Sequence, residues 1–168
     1  GDGFNIVLAG SQSLGPMMNF RLARPDRLID IRELDALKQV ARVDDHLFIG
    51  ALVTHAAIED GALPDVTKGM MIHVASGIAY RAVRNRGTIG GSIAHADPAG
   101  DWPAALLALG AEVVKIEWPQ SPDMIRNPNM GTLKGVEPSL NSNIMFNDTN
   151  ANKKGITVNL RTERGLDL

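Results

Sequence analysis

The sequence predicts an α+β domain in which short strands and helices follow one another along most of the chain. Short apolar runs that end in glycine or follow proline indicate strands, and one stretch with apolar residues three and four positions apart indicates an amphipathic helix. The composition agrees, since 168 residues with 44% hydrophobic and 21% charged side chains can bury a core without disulfides or metals.

Strands are predicted over residues 5–9, 27–31, 46–51 and 111–116, where aliphatic and β-branched side chains cluster. The first strand begins almost at the start of the sequence, so we expect the domain to be N-terminally incomplete. Between the second and third strands, Leu34, Leu37 and Val40 have helical spacing but fit a turn-rich connection equally well.

Three helices are predicted. Thr54 is a suitable N-cap for a helix over residues 55–60, which Gly61 would close. Residues 66–82 have the best amphipathic pattern in the chain, and residues 102–110 form a further helix with Pro103 in its first turn.

The character of the sequence changes after residue 117. Residues 118–168 are rich in asparagine, contain four prolines and have one strand-like alternation, over residues 155–160. Turn-forming residues dominate this part. We therefore predict a domain over residues 1–117 and an atypical tail over 118–168 that is less ordered.

Composition also excludes several classes of function. A net charge of −2 and a pI near 6.1 give no basic field for nucleic acid. The absence of cysteine excludes a thiolate-bound iron–sulfur cluster and a cysteine nucleophile. No run approaches the ~20 apolar residues that span a membrane, and the N-terminus lacks the basic start of a signal peptide, so we expect a cytoplasmic protein.

Two glycine-bearing segments are candidates for ligand binding. One follows the first strand as AGSQSL, and the other follows the amphipathic helix as RGTIGGS. Glycine allows close backbone approach, and successive N–H groups with hydroxyls suit a pyrophosphate. Neither matches the GxGxxG or phosphate-loop patterns, and each taken alone is more often a turn.

Other polar residues are weaker candidates. His95 and Asp97 could form an acid–base pair, but their spacing of two residues favours the interpretation that they organise a loop. Arg84 and Arg86 could steer a phosphate, or be solvated or structural. The remaining histidines have no metal-ligand spacing, namely His46, His55 and His73. We predict neither a catalytic residue nor a metal ligand.

Residues 7–114 resemble the flavin domain of the molybdenum hydroxylases, the family of aerobic carbon monoxide and xanthine dehydrogenases. The resemblance is carried by LAGSQSLGPMMNFRLARPDRLIDI, FIGALVTHAAIE and IAYRAVRNRGTIGGSIAHADPAGDWPAALLALGAEVV. It implies a p-cresol-methylhydroxylase-type FAD-binding fold of two α+β subdomains. Because nothing after residue 117 resembles the family's continuation, we expect the fold to be C-terminally incomplete too.

The resemblance also implies which residues contact FAD, mainly through backbone amides around the pyrophosphate. Asp101 closes the family's ADPxxD segment, whose acidic residue contacts the cofactor in relatives. The other implied contacts are Ala9, Gly10, Ser11, Gln12 and Ser13 in the first segment and Thr88, Ile89, Gly90, Gly91 and Ser92 in the second. Ser11 replaces a glycine of the family pattern and would be strained if its φ is positive.

The resemblance implies an electron-transfer role. FAD would receive electrons from an iron–sulfur subunit and pass them to an external acceptor, while a molybdenum-cofactor subunit oxidises the substrate. Two alternatives remain open: a truncated or rearranged non-catalytic scaffold of the same fold, and a flavin oxidase or reductase that binds its own substrate.

Overall fold

The computed structural model describes residues 4–97, 99–117 and 153–157. The chain divides into two compact units, residues 1–105 and 106–168. The predicted tail, 118–168, lies outside the described residues except for 153–157, so its order and the boundary after residue 117 stay predictions. Across the described ranges, no helix is long and apolar enough to cross a membrane.

The first unit contains two small sheets. Strand β1 (Asn5–Leu8) pairs in parallel with β2 (Arg27–Asp30), and helix α1 (Leu14–Asn19) lies between them in sequence. Strand β3 (Val40–Val43) pairs antiparallel with β4 (His46–Ile49). A single turn of 3-10 helix, Asp35–Lys38, connects the two sheets, so the turn-rich alternative is correct there.

Within residues 50–97 and 99–117, five further helices follow β4. They are α2 (His55–Glu59), α3 (Met70–Gly77), α4 (Arg81–Arg84), α5 (Ile89–His95) and α6 (Asp101–Ala108). In the second unit, β5 (Val113–Glu117) pairs in parallel with β6 (Lys153–Thr157).

The core of the first unit lies around α2. Ile58 and Trp102 are almost completely buried, with 2% and 0% of their surfaces exposed. Other buried apolar side chains of this unit are Leu52, Val53, Ala56, Met71, Ala75 and Ile89. The segment that leads into α2 and the start of α5 are therefore held by the same core.

The predicted helix over residues 66–82 is wrong in extent. Before α3, the Asp65 carboxylate accepts hydrogen bonds from the N–H groups of Thr67 at 3.0 Å and Gly69 at 2.8 Å. After it, Ala79 takes a left-handed φ of 41°, and the Arg84 guanidinium donates to its carbonyl oxygen. These side-chain bonds stabilise two ends that apolar spacing alone does not reveal.

The other predicted elements agree with the structure within a few residues. The strands near residues 5–9, 27–31, 46–51 and 111–116 are present, and Thr54 caps α2 by accepting from the Ala57 N–H at 3.1 Å. The prediction missed four elements, β3, α1, α4 and α5. Two of the missed helices, α1 and α5, carry glycine or proline in their first turn, where these residues are tolerated.

Candidate functional site

The first glycine-bearing segment, Ala9 to Ser13, turns the chain sharply from β1 into α1. Ser11 has a φ of 58°, which is the left-handed region that disfavours a side chain. Its carbonyl accepts from the Gly15 N–H at 2.9 Å, and the Gln12 side chain donates to the Gly10 carbonyl at 2.9 Å. The condition for strain at Ser11, a positive φ, is therefore met.

Four consecutive backbone N–H groups in this segment have no acceptor. Those of Gly10, Ser11, Gln12 and Ser13 donate to no other group in the part of the chain that the structure describes. A run of unpaired N–H groups through a left-handed residue resembles the concave arrangements that bind anions. Since backbone donors require an acceptor, this turn suits a phosphate group.

The second segment leads into α5: Thr88 is the N-cap of this helix, and residues 89–92 form its first turn rather than a loop. The Thr88 hydroxyl caps the helix by accepting from the Gly91 N–H at 3.1 Å. The N–H of Ile89 donates to the Val53 carbonyl and that of Gly90 to the Ala51 carbonyl, both at 3.0 Å. Because the N–H groups from Ile89 to Ser92 are satisfied internally, this segment offers a ligand the Ser92 hydroxyl and a compact backbone surface rather than a run of unpaired N–H groups.

The structure brings the two segments together through backbone contact. A Cβ atom on Gly10 would lie 2.1 Å from the carbonyl oxygen of Arg86 and 2.9 Å from the Cα of Gly87. A Cβ atom on Gly91 would lie 3.9 Å from that of Ala9. The glycines thus permit close packing within the protein itself, as does Gly90, where a Cβ would lie 2.5 Å from the Ala51 Cβ.

Asp101 is exposed and begins α6. No hydrogen bond or ion pair joins it to either glycine-bearing segment within residues 4–97 and 99–117. The next residue, Trp102, turns into the core. The first turn of α6 therefore has an exposed carboxylate, that of Asp101, next to a buried side chain, that of Trp102.

A buried His55–Trp102 pair was missed by the sequence analysis. The Trp102 indole Nε1 donates to His55 Nδ1 at 3.1 Å, and the rings stack with centroids 6.0 Å apart. Burial, with a smaller contribution from the Arg84 charge, lowers the pKa of His55 to about 4. The two residues are far apart in sequence, so no local spacing signals their contact.

Arg84 has a structural role in this fold. Its guanidinium donates to the Glu59 carboxylate at 2.8 Å and to the carbonyls of Ile78 and Ala79. Arg81 bridges Glu59 and Asp60 beside it. These bonds leave Arg84 poorly placed to steer a phosphate.

Asp97 organises its own loop, as predicted in preference to catalysis. Its carboxylate accepts from the Ala99 N–H at 2.9 Å, and its carbonyl accepts from the Gly100 N–H at 2.9 Å. His95 lies in the last turn of α5. In the described ranges, no three His, Cys, Asp or Glu residues cluster as metal ligands would.

The family follows from comparison with known proteins. The family model described as the FAD binding domain in molybdopterin dehydrogenase matches residues 5–121, more than half of the chain. The chain belongs to this family, and FAD is the family's cofactor. The fold is that of the flavin domain of carbon monoxide dehydrogenase, with mixed helices and strands.

Two of the curated relatives are named as a medium subunit and a medium chain of larger enzymes. The nicotine 6-hydroxylase medium subunit of Paenarthrobacter nicotinovorans is 45% identical over 109 residues, which are 64% of this chain and 38% of the relative. The carbon monoxide dehydrogenase medium chain of Hydrogenophaga pseudoflava is 38% identical over 108 residues, 64% of this chain and 38% of the relative. The chain spans little more than a third of these relatives.

Solved structures give the same fold. A cyanide-inactivated Cu,Mo-CO dehydrogenase superposes with a TM-score of 0.60 at 34% identity, over 63% of this chain and 37% of that chain. Quinoline 2-oxidoreductase from Pseudomonas putida 86 has a TM-score of 0.53 at 38% identity, over 59% and 35%.

A second family model, CoA-transferase family III, matches residues 98–168. This match overlaps the flavin-domain match over residues 98–121 and covers less than half of the chain. The residues after the flavin domain thus resemble a different family.

Proposed function

We propose that this chain is the FAD-binding, electron-transfer part of a molybdenum-containing dehydrogenase. It would take electrons from iron–sulfur clusters on another chain and pass them to an external acceptor. Substrate oxidation would occur on a molybdenum-cofactor subunit. In the described residues the chain offers no metal cluster of its own, and its sequence has no cysteine, so both partners would be separate polypeptides or domains.

The observation that supports this proposal is the run of unpaired N–H groups at Gly10, Ser11, Gln12 and Ser13. We propose that these groups bind the FAD pyrophosphate, while the compact turn from Thr88 to Ser92 packs beside them. FAD supplies the redox chemistry when it is bound, and the protein binds and orients it.

The remaining proposed contacts are polar side chains. The Ser92 hydroxyl makes no hydrogen bond to another described residue and is partly exposed, so it is free to donate to a phosphate oxygen. Asp101 is exposed and would accept from ribityl or ribose hydroxyls, for which a carboxylate is a suitable partner.

A visible spectrum of the purified full chain tests the proposal. Incubation with FAD followed by desalting should leave a yellow protein with a flavin absorption band, and FMN, which lacks the pyrophosphate, should be lost. A colourless, folded protein would favour the non-catalytic scaffold of the same fold. The partner proposal predicts in addition that the FAD-loaded chain alone oxidises no carbon monoxide, purine or aldehyde.

Replacing Ser11 with glycine should strengthen FAD binding. A serine at φ 58° is strained, and glycine removes about 1 kcal/mol of that strain, so the binding-competent turn becomes more populated. The dissociation constant should fall about fivefold in a fluorescence titration. An equal or weaker affinity would show that the Ser11 hydroxyl makes a useful contact.

A further inference from the structure

We propose that His55 is the positioning residue of the second segment, the turn from Thr88 to Ser92 that packs against the FAD-binding amides. The inference rests on the proposed function. His55 does not itself reach the cofactor in this proposal; it acts by fixing the backbone of Gly87, from which the segment departs.

The backbone of His55 is tied to the entrance of this segment. Its N–H donates to the Gly87 carbonyl at 2.9 Å, directly before Thr88. Thr54 forms a β-bridge with Thr88, and the Ile89 N–H returns a hydrogen bond to the Val53 carbonyl. These hydrogen bonds fix the position of residues 87–89 relative to residues 53–55 at the start of α2.

The imidazole ring of His55 also packs against Gly87. A Cβ on Gly87 would lie 2.8 Å from the His55 Cδ2 and 3.0 Å from its Nε2, so the ring edge packs on the glycine backbone. The opposite nitrogen, Nδ1, accepts from Trp102. The ring is thus clamped between Gly87 and the first turn of α6, and Gly87 in turn contacts Gly10 of the first segment.

Only the neutral ring fits this arrangement. Because Nδ1 accepts from an indole N–H, the proton of the neutral ring lies on Nε2. An imidazolium would carry a second proton on Nδ1 and face the Trp102 N–H donor to donor. The charged group that acts on the ring is Arg84 from α4, which is itself paired with Glu59 of α2, and both burial and Arg84 oppose protonation.

This arrangement gives the pH dependence a definite sign. The pKa of His55 is about 4 in the folded chain and ordinarily 6.5, so the contribution of its neutral ring to the free energy of unfolding is fully present above pH 6.5. This contribution to stability is lost as the pH falls from 6.5 through 4. FAD affinity should weaken over the lower end of the same interval.

The test compares FAD titrations of the full chain with three variants. His55→Leu removes the acceptor for Trp102, His55→Asn retains one that does not titrate, and His73→Asn changes an exposed histidine of α3 as a control. Urea unfolding and circular dichroism establish the conditions in which each variant is folded, so that affinity is measured separately from stability.

We expect His55→Leu to bind FAD about tenfold more weakly than the wild type at pH 7.5 while folded. His55→Asn should recover affinity to within about threefold, because the buried indole N–H keeps its partner. Because the pKa of His55 is about 4 in the folded chain, about half of the rings are protonated at pH 4 and few above pH 5. Between about pH 5 and pH 4, the wild type and His73→Asn should therefore lose up to about twofold in affinity through this group, and His55→Asn should not share that part of the loss.

Two results would overturn the inference alone. One is a His55→Leu protein that is less stable but binds FAD as tightly as the wild type, which is what a merely structural role predicts. The other is an identical pH profile for the wild type and His55→Asn. A folded wild type that binds no FAD would overturn the proposed site together with this inference.

Discussion

Replacing Gly10 with alanine is expected to abolish FAD retention and to lower the free energy of unfolding by about 2 kcal/mol or more. The added Cβ would stand 2.1 Å from the Arg86 carbonyl oxygen, which belongs to the backbone and cannot rotate away. The two glycine-bearing segments would have to separate. Flavin absorbance after desalting and urea denaturation measure the two effects.

Gly77→Ala is the matched control for this substitution. Gly77 ends α3 and its φ is not positive, and among the described residues a Cβ there would meet no atom within 4 Å beyond its chain neighbours and its own helix. Alanine at this position should be neutral or stabilising by up to about 1 kcal/mol, with FAD binding unchanged. If Gly10→Ala behaves like Gly77→Ala, the close packing of the two segments is not required for binding.

Replacing Trp102 with alanine should cost about 3–5 kcal/mol of unfolding free energy. The side chain is completely buried, and its loss leaves a cavity and an unpaired His55 Nδ1. Chemical denaturation measures the loss, which is a large part of the stability of a domain of this size.

Leu107→Ala provides the comparison within the same helix. Leu107 is 56% exposed, so its truncation should change the unfolding free energy by less than about 0.5 kcal/mol. Equal effects of the two substitutions would mean that the interior position of Trp102 does not stabilise the fold.

The sequence predicted β1, β2, β4 and β5 because each lies in a short apolar run bounded by turn residues, and it missed β3. It also predicted α2, since Thr54 is followed at once by a helical apolar pattern. It failed where side chains act over a distance. The end of α3 depends on Arg84 reaching the carbonyls of residues 78 and 79, and such a contact has no periodicity.

Both segments of the candidate site were identified from the sequence. The sequence did not reveal that the first has unpaired N–H groups whereas those from Ile89 to Ser92 in the second are bonded within the protein. The pattern TIGGS gives no sign that its amides are occupied by Ala51 and Val53, because those partners come from another part of the chain. In the same way, His55 and Trp102 acquire their importance only through a contact made by the fold. The roles of the individual residues in FAD binding stay predictions.

The bridge between Thr54 and Thr88 links the N-caps of α2 and α5. Two hydrogen bonds connect the starts of the two helices, from the His55 N–H to the Gly87 carbonyl and from the Ile89 N–H to the Val53 carbonyl. Unwinding the first turn of either helix breaks these shared bonds. The two helix starts should therefore open as one cooperative unit. In a hydrogen-exchange measurement, the amide protons of His55 and Ile89 should be replaced by deuterium with a common opening free energy.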